Sequence, residues 1–453
     1  MSVLIAIVIK LPTGTNLGLL RVMWALVSGQ LLETRGALIP ALANIGLRDA
    51  EVMQAWSAFA KGSWETHQLV KAWTELVRQE GRWERNQYGG YRVKAIDLTG
   101  FFRPCLKNCP TTHYDSTAGK ALKAIPIGMV GEVGRIGAQR FTLPTALVRA
   151  DVDHPSEAIL AEELVRVAVK QMADDEMLTA DRGFKPVTFV KAGCKRVVLR
   201  RPKNFTARRR TPPAYSGCGR KPTRPTVVRP LPRMYGGKTI AATPPDRIES
   251  WLVPDSNETV TAHVWFDVVL PDQPKLWDDQ TRQLVKDTPW MIVLIFHPSF
   301  PQPMLLIVTM TVALSAQHAH SFYLDRWGIE HPPLVAKQLL GALRQFVFAD
   351  QARQRLPELT LLAGSVLSYV AASHDPIPTG FWDRSPKATP GRLRRLLTKL
   401  HFPADFPLPE RLREKHSRTD HLPKGILAHR RSKQAPSQPL LVSLASVSPS
   451  IQT

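Results

Sequence analysis

One short stretch of this chain places several chemically active side chains at helical spacing. It has the pattern Tyr-x2-Arg-x3-Glu-x6-Lys, formed by Tyr323, Arg326, Glu330 and Lys337. On an α-helix the first three fall within roughly 60° of arc, so a hydroxyl, a guanidinium and a carboxylate share one face. Such a face suits a metal ion bound beside a phosphate, because it offers both negative and positive charge.

Two further carboxylates are candidates to act with Glu330. Asp97 is near the end of a strand pattern, and Asp181 ends a buried strand pattern that begins at Glu176. Two-metal phosphoryl transfer needs such a set, since acidic ligands must hold two hard cations about 3.5–4 Å apart. Magnesium matches oxygen ligands of this kind. An aspartate at a strand end is by itself more often a turn residue or a cap, so the triple gains weight from its setting.

That setting follows the order strand, strand, strand, helix, strand. Period-two patterns predict an antiparallel meander of three strands at 91–98, 123–133 and 139–149. We expect a turn between the second and third strands around Gly131, Gly134 and Gly137. A helix with its apolar stripe in 160–172 follows. This order is that of the ribonuclease-H-like fold, in which the first and fourth strands lie side by side.

The flanking segments differ in character. Helical patterns over 16–80 include two helices separated by Gly62, the outline of a helix-turn-helix. DNA-end recognition and a plain packed helical hairpin are both open for this pair. Residues 195–238 hold fourteen Lys or Arg and no Asp or Glu, which suits a phosphate backbone or a solvated linker. Strand patterns over 239–314 predict a β-rich insertion, and helices resume near Ala316 and continue over 334–348 and 359–372.

Composition points to a polyanionic partner. The chain has 453 residues with 60 Lys or Arg against 38 Asp or Glu, a net charge of +22. A surplus of this size is typical of nucleic-acid binding, although a simply basic protein is an alternative.

Four cysteines, with Cys105 and Cys109 forming only half of a zinc site, predict reduced thiols. The apolar segment 1–9 lacks the features of a signal peptide, and the apolar runs 291–296 and 304–314 are too short to span a bilayer. We therefore expect a soluble, cytoplasmic protein.

Three motifs together resemble a known family. Asp97 in AIDLTGF, Asp181 in LTADRGF and the Tyr323 to Lys337 pattern resemble the insertion-sequence DDE transposases that carry a Tyr-Arg-Glu-Lys signature around their glutamate. The resemblance covers about residues 92–372, and the three fixed spacings of the signature are specific. In this family a β-rich domain interrupts the fold before the glutamate helix, and the gap between Asp181 and Glu330 leaves room for one.

The resemblance implies roles for each matching residue. Asp97, Asp181 and Glu330 would bind two Mg²⁺ ions, with Mn²⁺ as a substitute. Tyr323 and Arg326 would contact phosphates at the transposon end, and Lys337 would touch DNA nearby. Pro332 and Pro333 should end or kink the glutamate helix, so Lys337 is expected on a second helix. Asp325 is a rival carboxylate, ranked low because it points away from Glu330.

The expected architecture is α/β, a ribonuclease-H-like mixed sheet with flanking helices. Its predicted parts are a helical, DNA-end-binding candidate domain (1–90), the first part of the core (91–205), a basic segment and β-rich insertion (206–315), the helical second part of the core (316–400) and a basic, partly disordered tail (401–453). The expected partners are transposon-end and target double-stranded DNA, with a homodimer pairing two ends on the bacterial nucleoid and no membrane.

The leading interpretation is a DNA transposase that cleaves transposon ends and joins them to target DNA. A non-catalytic DNA-binding protein derived from a transposase is one alternative. A structure-specific nuclease of the same fold is another.

Overall fold

Helices form most of the first eighty residues, as the apolar spacing predicts. The computed structural model describes residues 1–413 except 13, 116, 151–155, 220–224, 254–255, 271–288 and 404. The helices of this region are α1 (Ser2–Val8), α2 (Asn16–Val27), α3 (Gln30–Glu33), α4 (Leu38–Asn44), α5 (Asp49–Lys61) and α6 (Thr66–Glu80). The N-caps of α5 and α6 are Arg48 and Glu65, so the predicted caps Asp49 and Ser63 are displaced by one and two residues.

The next segment builds the centre of a mixed sheet. Its elements are β1 (Trp83–Arg85), β2 (Gln87–Tyr88), β3 (Tyr91–Phe102), β4 (Thr112–Asp115), β5 (Lys120–Ile136), β6 (Gln139–Arg149), α7 (Glu157–Lys170), β7 (Glu176–Ala180), α8 (Pro186–Lys191) and β8 (Val197–Arg201). Antiparallel pairing of β3 with β5 and of β5 with β6 confirms the predicted meander. After α7 the chain pairs β7 in parallel with β3, and then β8 in parallel with β7. The first and fourth predicted strands are therefore neighbours.

The glycine-rich turn predicted between β5 and β6 is largely wrong. Gly131 and Gly134 lie inside β5, and only Gly137, at φ +55°, is in the turn. A Cβ on Gly131 would lie 2.5 Å from Thr142 Cγ2, and one on Gly134 would lie 2.2 Å from the Glu84 carbonyl oxygen. These two glycines therefore permit close packing against the strand surface rather than a reversal of the chain.

The predicted β-rich insertion is present. Most of its strands continue the same sheet, whereas a hairpin at 233–240 forms a separate two-stranded sheet. Its strands are β9 (Ala207–Arg209), β10 (Val227–Val228), β11 (Arg233–Tyr235), β12 (Lys238–Ile240), β13 (Arg247–Leu252), β14 (Thr259–Val269), β15 (Trp290–Phe296) and β16 (Met304–Thr309). From β13 to β16 neighbouring strands are antiparallel, and β16 pairs antiparallel with β8. The basic segment is thus partly structured, since β8 to β11 lie within it and β12 begins at its last residue, Lys238. The two apolar runs form β15 and β16, which are almost entirely buried.

The chain then returns to helices. They are α9 (Ala316–Asp325), a 3-10 turn (Arg326–Glu330), α10 (His331–Gln338), α11 (Asp350–Ser373), α12 (Pro390–Leu397) and α13 (Glu410–Arg413). Pro332 and Pro333 occupy the first turn of α10, where a missing N–H costs no hydrogen bond. Lys337 therefore lies on a second helix, as predicted. The tail expected to be disordered lies, beyond residue 413, outside the described residues.

The helix predicted over 334–348 is wrong beyond Gln338. Gly341 adopts φ +81°, a conformation that ends a helix. Its backbone packs against the α3 region, where an added Cβ would lie 2.6 Å from the Leu32 nitrogen. The chain therefore leaves the helical path after α10 and enters α11 only at Asp350.

Helix α11 is the centre of the helical layer. By length and composition it could cross a membrane, but 78% of its most apolar window is buried inside the protein. Leu356, Leu359 and Leu362 share one hydrophobic core with residues of α1 to α6. The apolar surface of α11 is thus covered by protein. The boundaries proposed from sequence at 90, 205, 315 and 400 stay predictions.

Two further cores cover the two faces of the sheet. Ile96 of β3 packs with α7 on one face, whereas Val93 and Ala95 pack with α9 on the other. Side chains alternate between faces along a strand. Asp97 therefore points toward the face that carries α9 and the 3-10 turn. The expected α/β architecture, a mixed sheet flanked by helices, is confirmed.

Candidate active site

Strand register brings Asp97 and Asp181 to the same level of the sheet. The parallel pairing of β3 with β7 runs from Arg92 opposite Glu176 to Ala95 opposite Thr179. Continuing that register by two residues places Asp97 opposite Asp181, the first residue after β7. The Gly183 N–H donates to Asp181 Oδ1 at 2.8 Å and holds the carboxylate at the strand end.

Close packing docks the 3-10 turn onto the same face. A Cβ on Gly328 would lie 2.5 Å from Thr142 Oγ1, so glycine is required for this approach to β6. Ile329 is fully buried, and its Cδ1 lies 3.4 Å from the position of a Cβ on Gly131. The glycine inside β5 thus makes room for the turn. Glu330, the next residue, is held above the sheet near Asp97.

Arg326 is the central cation of the site. It is 3% exposed, and its Nη2 lies 2.6 Å from Glu330 Oε1. Its Cζ lies 5.5 Å from the centroid of the Tyr323 ring and 4.9 Å from that of Trp327. Tyr323 is itself 1% exposed, with the guanidinium of Arg200 at 5.8 Å on its ring. Tyr323 therefore acts in this structure as a packing platform for two guanidinium groups.

Asp97 interacts electrostatically with the other two acids. Burial raises the pKa of Asp97 to about 7; the Arg326 guanidinium opposes the rise, and the charges of Asp181 and Glu330 add to it. Among the charges that act on Asp97, that of Arg326 is the largest, and those of Asp181 and Glu330 follow. The pKa is raised chiefly because the carboxyl is buried.

Lys337 reaches the same cluster from α10. Burial lowers the pKa of Lys337, while the charges of Asp97 and Asp115 oppose that change. Its Nζ lies 5.5 Å from the centroid of the Phe101 ring of β3. Sequence periodicity could not place Lys337 on this face, and the geometry does so through the second helix.

All six residues singled out from the sequence are linked by electrostatic interactions or ring contacts. Asp97 has Asp181, Glu330, Arg326 and Lys337 as electrostatic neighbours, and Tyr323 packs on Arg326. Their predicted roles stay predictions.

The donor set fits hard divalent cations. Three carboxylates would provide oxygen ligands, and a bound cation would offset the burial and the carboxylate charges that raise the pKa of Asp97. Within the described residues, no three His, Cys, Asp or Glu side chains are gathered closely around one point. The ion pair with Arg326 holds Glu330, so a bound cation would compete with that guanidinium. The four cysteines, all described, are free thiols.

The sequence did not indicate a second buried network beside the site. Asp325 is 1% exposed; its Oδ2 accepts from Asn86 Nδ2 at 2.7 Å and from the Tyr88 hydroxyl at 2.9 Å. Arg140 Nε lies 3.7 Å from its Oδ1. Asp325 therefore ties the junction of α9 and the 3-10 turn to β2 and β6. The only sequence signal was a charged residue inside the signature stretch.

The helix pair α5 and α6 packs against the core. Leu69, Trp73 and Val77 of α6 are buried, and Trp73 Nε1 donates to Ser365 Oγ at 3.1 Å. This packing favours the plain helical hairpin. DNA-end recognition by residues 1–90 stays a prediction.

No protein-family model matches the chain, and no curated protein sequence is significantly similar to it. Its function is therefore inferred from the site itself.

Proposed function

We propose that this protein is a DDE-type DNA transposase that cleaves transposon ends and joins them to target DNA. The observation that carries the proposal is the meeting of Asp97, Asp181 and Glu330 on one face of the sheet. They come from a strand, a strand end and a helical turn that are far apart in sequence. A large positive charge accompanies them, as a DNA substrate requires.

The topology supports a ribonuclease-H-like assignment of the central sheet. The spatial order is β6, β5, β3, β7, β8, with the first three strands antiparallel and the last two joining in parallel. In that fold the first and fourth strands are neighbours, as β3 and β7 are here. The β-rich insertion falls between β8 and α9, where the transposase resemblance expects one.

Asp97, Asp181 and Glu330 are the residues that would hold the metal ions. When bound there, Mg²⁺ or Mn²⁺ would supply activation of an attacking water or 3′-hydroxyl and stabilisation of the leaving oxygen. The chain's own contribution is to fix three carboxylates on rigid elements. The 3-10 turn holds Glu330 against the sheet through Gly328 and Ile329.

The cations of the site would position DNA. The planar guanidinium of Arg326 suits a phosphate, and its Nε is buried with no hydrogen-bond partner among the described residues. Lys337 adds a second positive charge beside Asp97. Tyr323 would orient Arg326 through its ring. Pairing of two transposon ends implies a homodimer bound to double-stranded DNA.

Cleavage of a supercoiled plasmid tests the proposal. The plasmid carries the coding region with its flanking DNA, and nicking is measured with and without Mg²⁺. Asp181→Asn should lower the cleavage rate by at least about 100-fold and leave DNA affinity within about twofold, because it removes ligand charge but no DNA contact. Asp174→Asn is the matched control, since the Asp174 side chain is fully exposed.

Two outcomes would count against the proposal. Full cleavage by Asp181→Asn would exclude the assigned site. Cleavage without any joining of 3′-hydroxyl ends to a second plasmid would favour a structure-specific nuclease of the same fold.

A further inference from the structure

The segment between α11 and the end of α12 carries a feature that the active site does not use. Residues 377–399 form a short loop and a basic helix, which we name the basic cleft. The cleft has a volume of about 340 Å³, and its lining includes four cations, Arg392, Arg394, Arg395 and Lys399, and no carboxylate. A concave surface of one charge sign attracts a partner of the opposite sign.

Two of these cations are already neutralised. Arg392 pairs with Asp383 at 2.8 Å, and Arg394 pairs with Glu33 at 3.2 Å. Arg395 and Lys399 are exposed, and no acidic partner for either lies within the described residues. Arg395 lies on the last turn of α12 and Lys399 lies in the turn that follows the helix. Two unpaired cations at one rim of the cleft repel each other. An anion in the cleft would relieve that repulsion.

An aromatic tip projects beside the cleft. Phe381 is 99% exposed and Trp382 is 66% exposed, with ring centroids 5.0 Å apart. Exposed aromatic rings beside cations are the combination that proteins use to stack unpaired bases while holding the backbone.

The tip is held in a defined conformation. Asp383 accepts hydrogen bonds from the Thr379 N–H at 3.0 Å and from the Thr379 hydroxyl at 3.1 Å. The Trp382 ring lies over Gly380, where an added Cβ would approach within 2.5 Å of the ring. These contacts hold the loop in the conformation that exposes both rings.

We propose that the basic cleft is a second DNA-binding surface, with the phosphate backbone against Arg395 and Lys399 and an unpaired base stacked on Trp382. The choice of DNA as the polyanion rests on the proposed function. The two exposed, unpaired cations and the adjoining aromatic tip favour a nucleic acid over a protein partner.

Fluorescence anisotropy with labelled DNA in EDTA tests the cleft without any cleavage. We compare Arg395→Gln/Lys399→Gln with Lys170→Gln/Lys191→Gln, a charge-matched pair exposed on α7 and α8. The cleft pair should weaken binding to a duplex with a 3′ overhang by about tenfold or more. It should also reduce the slope of log affinity against log salt by about 2, whereas the control pair changes neither quantity. Equal effects of the two pairs would overturn the proposal.

Trp382→Ala tests the aromatic tip. It should weaken binding to the overhang duplex by about fivefold or more and leave blunt duplex unaffected, since only unpaired bases stack on a ring. A loss of self-association in sedimentation, with unchanged affinity for the overhang duplex, would overturn the proposal and assign the tip to a second copy of the chain. Neither binding assay needs Mg²⁺. A positive result would therefore show that the cleft binds DNA even if the protein does not cleave DNA.

Discussion

At the scale of residues, the site combines one buried carboxyl, Asp97, with two further carboxylates, Asp181 and Glu330, whose charges act on it. Asp97 feels the loss of solvent and the charges of Asp181 and Glu330, and Arg326 offsets only part of this. Functional sites that bring like charges together lower the stability of the fold. Removing one of these charges should therefore stabilise the metal-free protein.

Asp97→Asn tests this balance. The variant should be more stable than the parent to urea at pH 8 in EDTA, by about 1–3 kcal/mol, because burying an amide costs less than burying a charged carboxylate and because an amide does not repel the neighbouring carboxylates. DNA cleavage should be lost in the same variant. Asp174→Asn, in an exposed position, should leave both properties unchanged; a destabilised Asp97→Asn would contradict the account.

His320 provides a separate pH dependence on α9. It is 5% exposed, and burial together with the charge of His297 lowers its pKa to about 4. The unfolded chain, with the usual value near 6.5, binds a proton more readily than the folded protein does between these values. The stability from this residue is therefore complete above pH 6.5 and is lost as the pH falls toward 4.

Substitution of His320 measures that contribution. Both proteins should become less stable when the pH is lowered from 7.5 to 5.0. The decrease in unfolding free energy should be about 2 kcal/mol smaller for His320→Phe than for the parent protein, since the phenylalanine ring cannot be protonated. Urea unfolding at the two pH values measures the difference. An equal decrease in unfolding free energy in both proteins would show that protonation of His320 does not destabilise the fold. The control is His67→Phe, at an exposed position.

At the scale of elements, the 3-10 turn decides where the signature residues meet the sheet. The sequence predicted one helical face for Tyr323, Arg326 and Glu330, and the last two do pair at 2.6 Å. It could not predict the change from α-helix to a 3-10 turn, because that change accompanies the contact of Gly328 with Thr142 on β6. Local spacing fixed the members of the site, and tertiary packing fixed their orientation.

Asp325 should act as a positioning residue for this turn. Asp325→Ala leaves Asn86 Nδ2 and the Tyr88 hydroxyl without their acceptor, so we expect a loss of about 2–4 kcal/mol in unfolding free energy and slower DNA cleavage. Asp325→Asn keeps one acceptor oxygen and should recover a substantial part of both. If Asp325→Asn is no more stable and no faster in cleavage than Asp325→Ala, the negative charge of Asp325 is what matters. Unchanged cleavage by Asp325→Ala would exclude a positioning role for this residue. Asp350→Asn, exposed at the start of α11, is the control.

Element types were more predictable than their boundaries and partners. The meander, the crossover through α7 and the proline break before Lys337 followed from period and turn chemistry. The glycines of β5 were misread because Gly131 serves packing against Thr142 and Ile329, which are distant in sequence. The pairing of β16 with β8 likewise depends on contacts that no local pattern contains.

At the scale of the whole molecule, the N-terminal helices and α11 stabilise each other. They share one core, and buried Glu358 of α11 accepts from the Thr66 hydroxyl and pairs with Arg149 at the end of β6. Arg355 adds donors to the Phe59, Gly62 and Trp64 carbonyl oxygens. The helical layer should therefore fold as a unit with the sheet behind it.

Deletion of residues 1–80 tests that dependence. The truncated chain would expose the buried face of α11, so we expect loss of cooperative thermal unfolding and aggregation during purification. Differential scanning calorimetry of the two chains measures this. A truncated protein with an unchanged melting temperature would show that the first eighty residues form an independent domain.

The central claim is that Asp97, Asp181 and Glu330 form one metal site. Calorimetric titration of Mn²⁺ into the intact protein tests it most directly. The parent and Asp174→Asn should bind Mn²⁺ equally, whereas Asp97→Asn, Asp181→Asn and Glu330→Gln should each lower the affinity by about tenfold or more, because each loses a charged ligand. Unchanged Mn²⁺ binding in all three variants would contradict the account.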